Sequence, residues 1–239
     1  VAAFVGSGGR MTYPEIKVLD HGFVALDDSC ADDLSVVNAA RVSFNKHHQE
    51  MEEGDDKLIA FLLKNRHGTP FEQNFFRFRV KAPIFVFREW HRHRIGISIN
   101  EWSARYSELE PVFYIPNAGN VRTQTGKPGH YVYEPINVHQ GLLFRRDLTE
   151  HCEASFRRYQ VALNCGVAKE QARFFLPVNI YSEMYWSCNA RSLMNFLSLR
   201  NAPKAMWEIR QFGIALENIF KEVMPITWQH FVENQRVAP

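Results

Sequence analysis

Residues 73–80 (QNFFRFRV) place Phe76, Phe78 and Val80 on one side of an extended chain and Arg77 and Arg79 on the other. Successive side chains of a strand point to opposite faces, so this alternation describes a strand buried on one face and wet on the other. The segments around it have a different period. Residues 32–42 and 56–65 carry apolar residues at helical spacing after an acidic start. Leu148, Cys152, Phe156, Tyr159 and Leu163 mark one stripe of a long helix over 137–164. Helices are also expected at 83–93, 168–175, 190–200 and 204–223, with a last one starting near Thr227. A second strand is expected at 180–188. Residues 111–135, with four prolines and three glycines, read as a long irregular stretch. Strands scattered among helices, without regular βαβ units, make the fold α+β.

Composition narrows the class. Hydrophobic residues make up 46% and charged residues 23% of 239, which excludes a disordered chain. A net charge of +2 argues against a nucleic-acid partner. No apolar run reaches the roughly 18 residues that a membrane span needs. Residues 1–10 (VAAFVGSGGR) lack a secretory pattern and read as a remnant of protein expression, leaving 11–239 as one domain. Cys30, Cys152, Cys165 and Cys188 form no Cys-x-x-Cys pair and read as reduced thiols of a cytoplasmic protein.

The chemistry concentrates in residues 88–107, where Arg88, His91, Arg92, His93, Arg94 and Arg105 sit beside Glu89 and Glu101. Trp90, Trp102, Ile95, Ile97 and Ile99 interrupt them and call for burial. A partly buried cationic cluster suits an anionic ligand, since guanidinium forks match phosphate and carboxylate; the plainer reading is a solvated basic helix face. His91 and His93 find no third ligand at metal spacing, so no metal is expected. If 90–94 stays helical, Arg92 and Arg94 point about 200° apart, which places the site at a subunit interface or a helix end.

Three further segments stand out. Arg191, Asn195 and Leu199 share a helix face, with Asn189 placed to cap it and Arg200 beside the stripe. That face suits a nucleotide cofactor, or is simply the outer side of an amphipathic helix. His67, Thr69 and Glu72 surround a Gly/Pro turn (HGTPFE) that reads equally as a plain connection. Arg41 and Ser43 close a helix (AARVS).

Together these blocks, in this order, resemble the flavin-dependent thymidylate synthases. The family signature is Arg-His-Arg, seven residues, then Ser; here eight residues separate Arg94 from Ser103. The resemblance runs from about Val18 to Phe231. It implies an α/β homotetramer whose subunits carry a mostly antiparallel sheet surrounded by helices, with FAD at the subunit interfaces. It also implies reductive methylation of dUMP to dTMP, with 5,10-methylenetetrahydrofolate as carbon donor and NADPH as reductant. By position, FAD would touch Ser43, Thr69, Arg92, His93, Arg94, Glu101, Asn189, Arg191, Asn195 and Leu199, with His67 near the flavin ring. The nucleotide would meet Glu89, Arg92, Glu101, Trp102, Ser103, Ala104, Arg105, Arg200 and, from a neighbouring subunit, Arg173. Lys204 replaces a family histidine, and Glu89 a family glutamine.

Within this resemblance Arg200 is expected to stabilise charge developing on the pyrimidine, with Arg105 and Arg173 on the phosphate. Ser103 has no activating His or Asp in its neighbourhood of sequence and reads as a substrate-binding hydroxyl. The competing readings are another flavoprotein oxidoreductase acting on a nucleotide-like substrate, a nucleic-acid-binding module, and a hydrolase built on Ser103, which lacks the G-x-S-x-G context.

Overall fold

The computed structural model describes residues 4–5 and 11–239, with side chains described from residue 13 onward. The expected expression remnant at 1–10 lies outside the described residues except for Phe4–Val5. In chain order the elements are β1 (Phe4–Val5), β2 (Met11–Val18), β3 (Gly22–Cys30), α1 (Asp33–Arg41), α2 (Asp55–Lys64), α3 (Thr69–Glu72), β4 (Phe75–Pro83), α4 (Ile84–Trp90) and β5 (Ile97–Glu101). They continue as β6 (Arg122–Lys127), β7 (His130–Pro135), α5 (Val138–Asn164), α6 (Lys169–Ala172), β8 (Tyr181–Cys188), α7 (Ala190–Arg200), α8 (Trp207–Val223) and α9 (Pro225–Glu233). The mixed α+β class expected from the sequence is found. Among the described residues no helix is long and apolar enough to cross a membrane.

The chain divides into two compact units. The first holds the described residues up to 82, together with 86–101 and 183–239. Six strands form a sheet in the order β1-β2-β3-β4-β8-β5. The β1–β2, β2–β3, β3–β4 and β5–β8 pairs are all antiparallel. The alternation of β4 has the predicted result: Phe76, Phe78 and Val80 are fully buried. On the opposite face Arg77 pairs with Asp27 at 2.7 Å, and Arg79 with Glu15 at 2.6 Å. Helix α8 covers the apolar face, its Phe220 ring edge-on to Phe76. Trp90, Trp186, Phe196 and Phe212 form an aromatic cluster in this core, with ring centroids as close as 4.6 Å for Trp90 and Phe196. Each such ring removes a large apolar area from water, and edge-on pairs add about 0.5–1.5 kcal/mol.

The starts of α1 and α7 are fixed by short polar side chains, those of Asp32 and Asn189. Asp32 caps α1 by accepting from the Ser35 N–H, and Pro225 opens α9 where a missing N–H costs nothing. Buried Asp33 accepts from the N–H groups of Ile226 and Thr227 and from the Thr227 hydroxyl, which ties α1 to the start of α9. Asp55, fully buried, accepts from Arg41 at 2.5 Å and from the Glu52 N–H at 2.8 Å, and pairs with His48 at 3.0 Å. Burial pushes that carboxyl up, but the bonds from Glu52, Arg41 and His48 outweigh it and hold it below its usual range.

The second unit holds residues 83–85 and 102–182. Helix α5 runs as expected, with Cys152 and Tyr159 buried and Leu148, Phe156 and Leu163 half-buried. A small core of Ala104, Leu109 and Ile180 is extended by Ile84, Trp102, Phe113 and Leu176. The irregular stretch expected at 111–135 is corrected: β6 and β7 form an antiparallel hairpin there, closed between Lys127 and His130. Its glycines serve the turn, since Gly126 and Gly129 both have positive φ.

Candidate functional site

Helix α4 was expected to continue to residue 93 but ends at Trp90. The His91 N–H still reaches Phe87 O, and then the turn tightens, with Arg92 N–H on Glu89 O and His93 N–H on Trp90 O. The about 200° separation argued for a continuous helix therefore does not apply; the cluster sits just past a helix end. Its burial also differs from expectation. Arg92, Arg94 and His91 are exposed, Ile95 is 89% exposed, and His93 alone of the cations is buried. The cationic surface is solvated, and one imidazole is folded inward against Phe196.

That imidazole meets α7. The Arg200 Nε–H donates to His93 Nε2 at 2.9 Å, so the ring proton lies on Nδ1. Arg200 Nη1 donates to a Glu89 carboxylate oxygen at 2.7 Å, and Nη2 to the Glu89 backbone carbonyl at 3.2 Å. Burial, then the neighbouring guanidinium, hold His93 neutral by lowering its pKa from 6.5 to about 4. Close by, His91 faces Glu101 at 3.7 Å across the start and end of the segment that contains β5.

Helix α7 is two-sided. Leu193, Met194, Phe196 and Leu197 are fully buried, whereas Arg191, Asn195 and Leu199 are exposed on one face, as the i, i+4, i+8 spacing predicts. Asn189 caps it: its side-chain oxygen accepts from the Ser192 N–H at 2.8 Å. At the other end, Gly213 of α8 lies against the backbone of Arg200; a Cβ there would stand 3.2 Å from the Arg200 carbonyl.

Two glycines bring backbone onto this helix. A Cβ on Gly68 would lie 2.6 Å from the Arg191 guanidinium, so the HGTPFE turn packs directly on that side chain. Glu72 from the same turn pairs with Arg191 at 2.5 Å, and Thr69 and His67 are exposed beside it. Gly96 has φ +65, and a Cβ there would stand 2.4 Å from the Ser192 hydroxyl, which donates to Ile95 O. A cleft of about 350 Å³ is lined by Glu72, Asn74, Gly96, Ser98, Ser187 and Asn189 among others. Ser43 lies exposed in the single turn after α1, and Lys204 is exposed between α7 and α8.

Other expected residues belong to the second unit. Arg105 donates to the Tyr106 hydroxyl at 3.1 Å and lies over its ring. The Ser103 hydroxyl accepts from the Arg105 N–H, and the Trp102 indole N–H donates to Ser107. Ala104 is buried, and Arg173 is exposed with its Nε on Glu170 O.

Thus Glu89, His93 and Arg200 meet at one point, Glu72 and Arg191 at another, and His91 and Glu101 at a third, while Thr69 is exposed in the same turn as Glu72. Gly68, Gly96 and Ser192 escaped sequence reasoning; the signal for Gly68 was its place in the HGTPFE turn. The donor set fits a dinucleotide such as FAD: the exposed guanidinium groups of Arg92 and Arg94 suit phosphates.

Comparison with known proteins agrees with this chemistry. The family model described as thymidylate synthase complementing protein matches residues 26–226. The flavin-dependent thymidylate synthase of Thermosipho africanus is 46% identical over 220 residues, covering 92% of this chain and 94% of that protein. The enzyme of the same name from Streptomyces coelicolor is 42% identical over 238 residues, covering 95% and 97%. Among solved structures, a UMP/dUMP methylase, PolB, from Streptomyces cacaoi bound with 5-Br UMP superposes with a TM-score of 0.84 at 41% identity, covering 94% of this chain and all of that one. With the family model spanning most of its length and such relatives on either side, the chain belongs to the flavin-dependent thymidylate synthase family.

Proposed function

We propose that the chain methylates dUMP to dTMP, with FAD as cofactor, 5,10-methylenetetrahydrofolate as carbon donor and NADPH as reductant. The family membership supports the reaction, and the meeting of Arg200 with Glu89 and His93 is the observation that carries its chemistry. Asn189, Arg191, Asn195 and Leu199 on α7, Ser43 and Thr69, and Arg92, His93, Arg94 and Glu101 are the residues we assign to FAD, with His67 near its ring. FAD, when bound, supplies the hydride. The protein's own part is orientation and charge. Arg200 faces the pyrimidine and stabilises the negative charge that develops there, which a preorganised cation does at low reorganisation cost. Arg105 and Arg173 hold the phosphate. Trp102, Ser103 and Ala104 complete our nucleotide assignment, together with Arg92 and Glu101. No cysteine serves as nucleophile. Burial raises the thiol pKa values of Cys152 and Cys188, which makes them poorer nucleophiles.

The protein works as a cytoplasmic homotetramer in this reading. Exposed Val138, Leu142, Phe144 and Phe174 in the second unit support an association surface. Light scattering after gel filtration tests it, and a monomer at working concentration counts against it.

The deciding experiment is NADPH oxidation by the FAD-loaded protein with and without dUMP, with dTMP followed directly. Oxidation that rises with dUMP and yields dTMP is expected; oxidation indifferent to dUMP supports instead an oxidoreductase of another kind. Arg200→Ala should lower turnover by about 10²–10³-fold at unchanged FAD content. Because one solved relative is a UMP/dUMP methylase, the same assay is run with UMP.

A further inference from the structure

Arg200 is held on two sides, and the holders come from one short stretch of chain. Glu89 is in the last turn of α4 and His93 lies three residues past the end of that helix, whereas Arg200 closes α7. Nε is on His93, Nη1 on the Glu89 carboxylate and Nη2 on the Glu89 carbonyl. A guanidinium carries five N–H donors in a rigid plane. Three are committed, leaving one on each terminal nitrogen. The plane is therefore fixed, and so is the direction of the two remaining donors. His93 can only accept at Nε2 in this arrangement, and its ring is locked by Phe196 at 4.8 Å between centroids. The Arg200 side chain is 20% exposed and Glu89 is 34% exposed, so the pair is reachable from solvent on one side.

We propose that Glu89 and His93 are positioning residues that orient the Arg200 guanidinium, and that Glu89 serves the nucleotide reaction through Arg200 rather than by touching the nucleotide. This rests on the reading of Arg200 given above. It differs from the expectation drawn from family position, which put Glu89 on the substrate itself. It also gives the carboxylate a partner that suits an acceptor. As an acceptor only, it cannot donate to a pyrimidine carbonyl, but it can accept from a guanidinium and offset part of its charge.

The test is a double-mutant cycle on FAD-loaded protein, read as kcat and KM for dUMP and as the dissociation constant for dUMP by calorimetry. Glu89→Ala should lower kcat/KM about tenfold or more, because a misdirected donor forfeits orientation. Glu89→Gln should recover most of the loss, since its amide oxygen still accepts from Nη1. Arg200→Ala should cost more than Glu89→Ala. The double variant should be no worse than Arg200→Ala, within about threefold, because Glu89 has nothing left to position. The calorimetric constants should follow the same pattern. Flavin content and melting temperature are checked for each protein; if Glu89→Ala melts low, Glu89→Met keeps the aliphatic stem and removes the acceptor. Losses that multiply in the double variant would mean that Glu89 contacts the nucleotide itself and would overturn the proposal. A Glu89→Ala protein with wild-type kinetics would overturn it too. Near-wild-type turnover by Arg200→Ala would instead remove the assignment of Arg200, and the role of Glu89 with it.

Discussion

His93 offers a measurement that needs neither substrate nor cofactor. Its folded-state pKa is lowered from 6.5 to about 4, first by burial and then by the Arg200 guanidinium. In the unfolded chain the ring takes up a proton as pH falls through 6.5, whereas the folded protein resists until about 4. The folded state is therefore fully credited with a neutral His93 above pH 6.5, and this stability is lost on acidification between those two values. From pH 8 to 4.5 the difference in proton binding amounts to about 2.5 kcal/mol. The comparison protein is His93→Gln, which does not titrate and still presents an oxygen to the Arg200 Nε–H. Urea unfolding followed by circular dichroism, on both proteins freed of flavin so that ligand linkage does not enter, gives stability at each pH. Carboxylates and other histidines contribute equally to both proteins and cancel in the difference. The wild type should lose about 2.5 kcal/mol more than His93→Gln over that range. Parallel pH profiles would refute the claim that this ring is neutral because it is buried beside a cation.

Asn189→Asp should keep the cap, because a carboxylate accepts from the Ser192 N–H as well as an amide does. It loses the amide donor and gains a negative charge, so the melting temperature should hold while FAD affinity falls about fivefold to tenfold; unchanged flavin binding would show that this side chain caps and does nothing else. Gly96→Ala places a Cβ at φ +65 and 2.4 Å from the Ser192 hydroxyl. The left-handed backbone alone should cost about 1–2 kcal/mol in denaturant unfolding, and a neutral result would mean that the turn relaxes away from α7. Iodoacetamide should label exposed Cys30 and Cys165 but spare buried Cys152 and Cys188 in the folded protein. Mass spectrometry reads the sites, and turnover should survive the labelling.

How much of this was legible beforehand depended on whether a signal was local. The strand β4 was readable because Phe76, Phe78 and Val80 are all buried and the intervening arginines are not. Strands β2 and β3 were missed for physical reasons. Each is interrupted by a register shift, between Tyr13 and Ile16 and between Leu26 and Asp28, and a shift breaks the period that marks a strand. Asp27 and Asp28 look like loop residues until Arg77 is seen beside them on the paired strand. The β6–β7 hairpin has no buried face, so nothing in Arg122–Pro135 alternates in hydrophobicity. The exposed face of α7 was visible from spacing alone. The clasp on Arg200 was not, because its two partners are 107 and 111 residues away in sequence.

The two-sidedness of α7 bears on how freely such a chain can drift under mutation. Its inner residues answer to the core, and its outer residues Arg191, Asn195 and Leu199 answer to whatever lies outside it. Changes to Asn195 and Leu199 can thus retune ligand preference without endangering the fold, whereas changes to the inner face, and to Arg191 with its tie to Glu72, are felt first as instability. Arg200 stands outside that division of labour. Its backbone abuts Gly213, so a larger residue in the neighbouring helix would move the very group assigned to the chemistry. A lineage of such chains would be free to vary beside this arginine and constrained beneath it, and substitutions at Gly213 would register as losses of turnover before they registered as losses of folding.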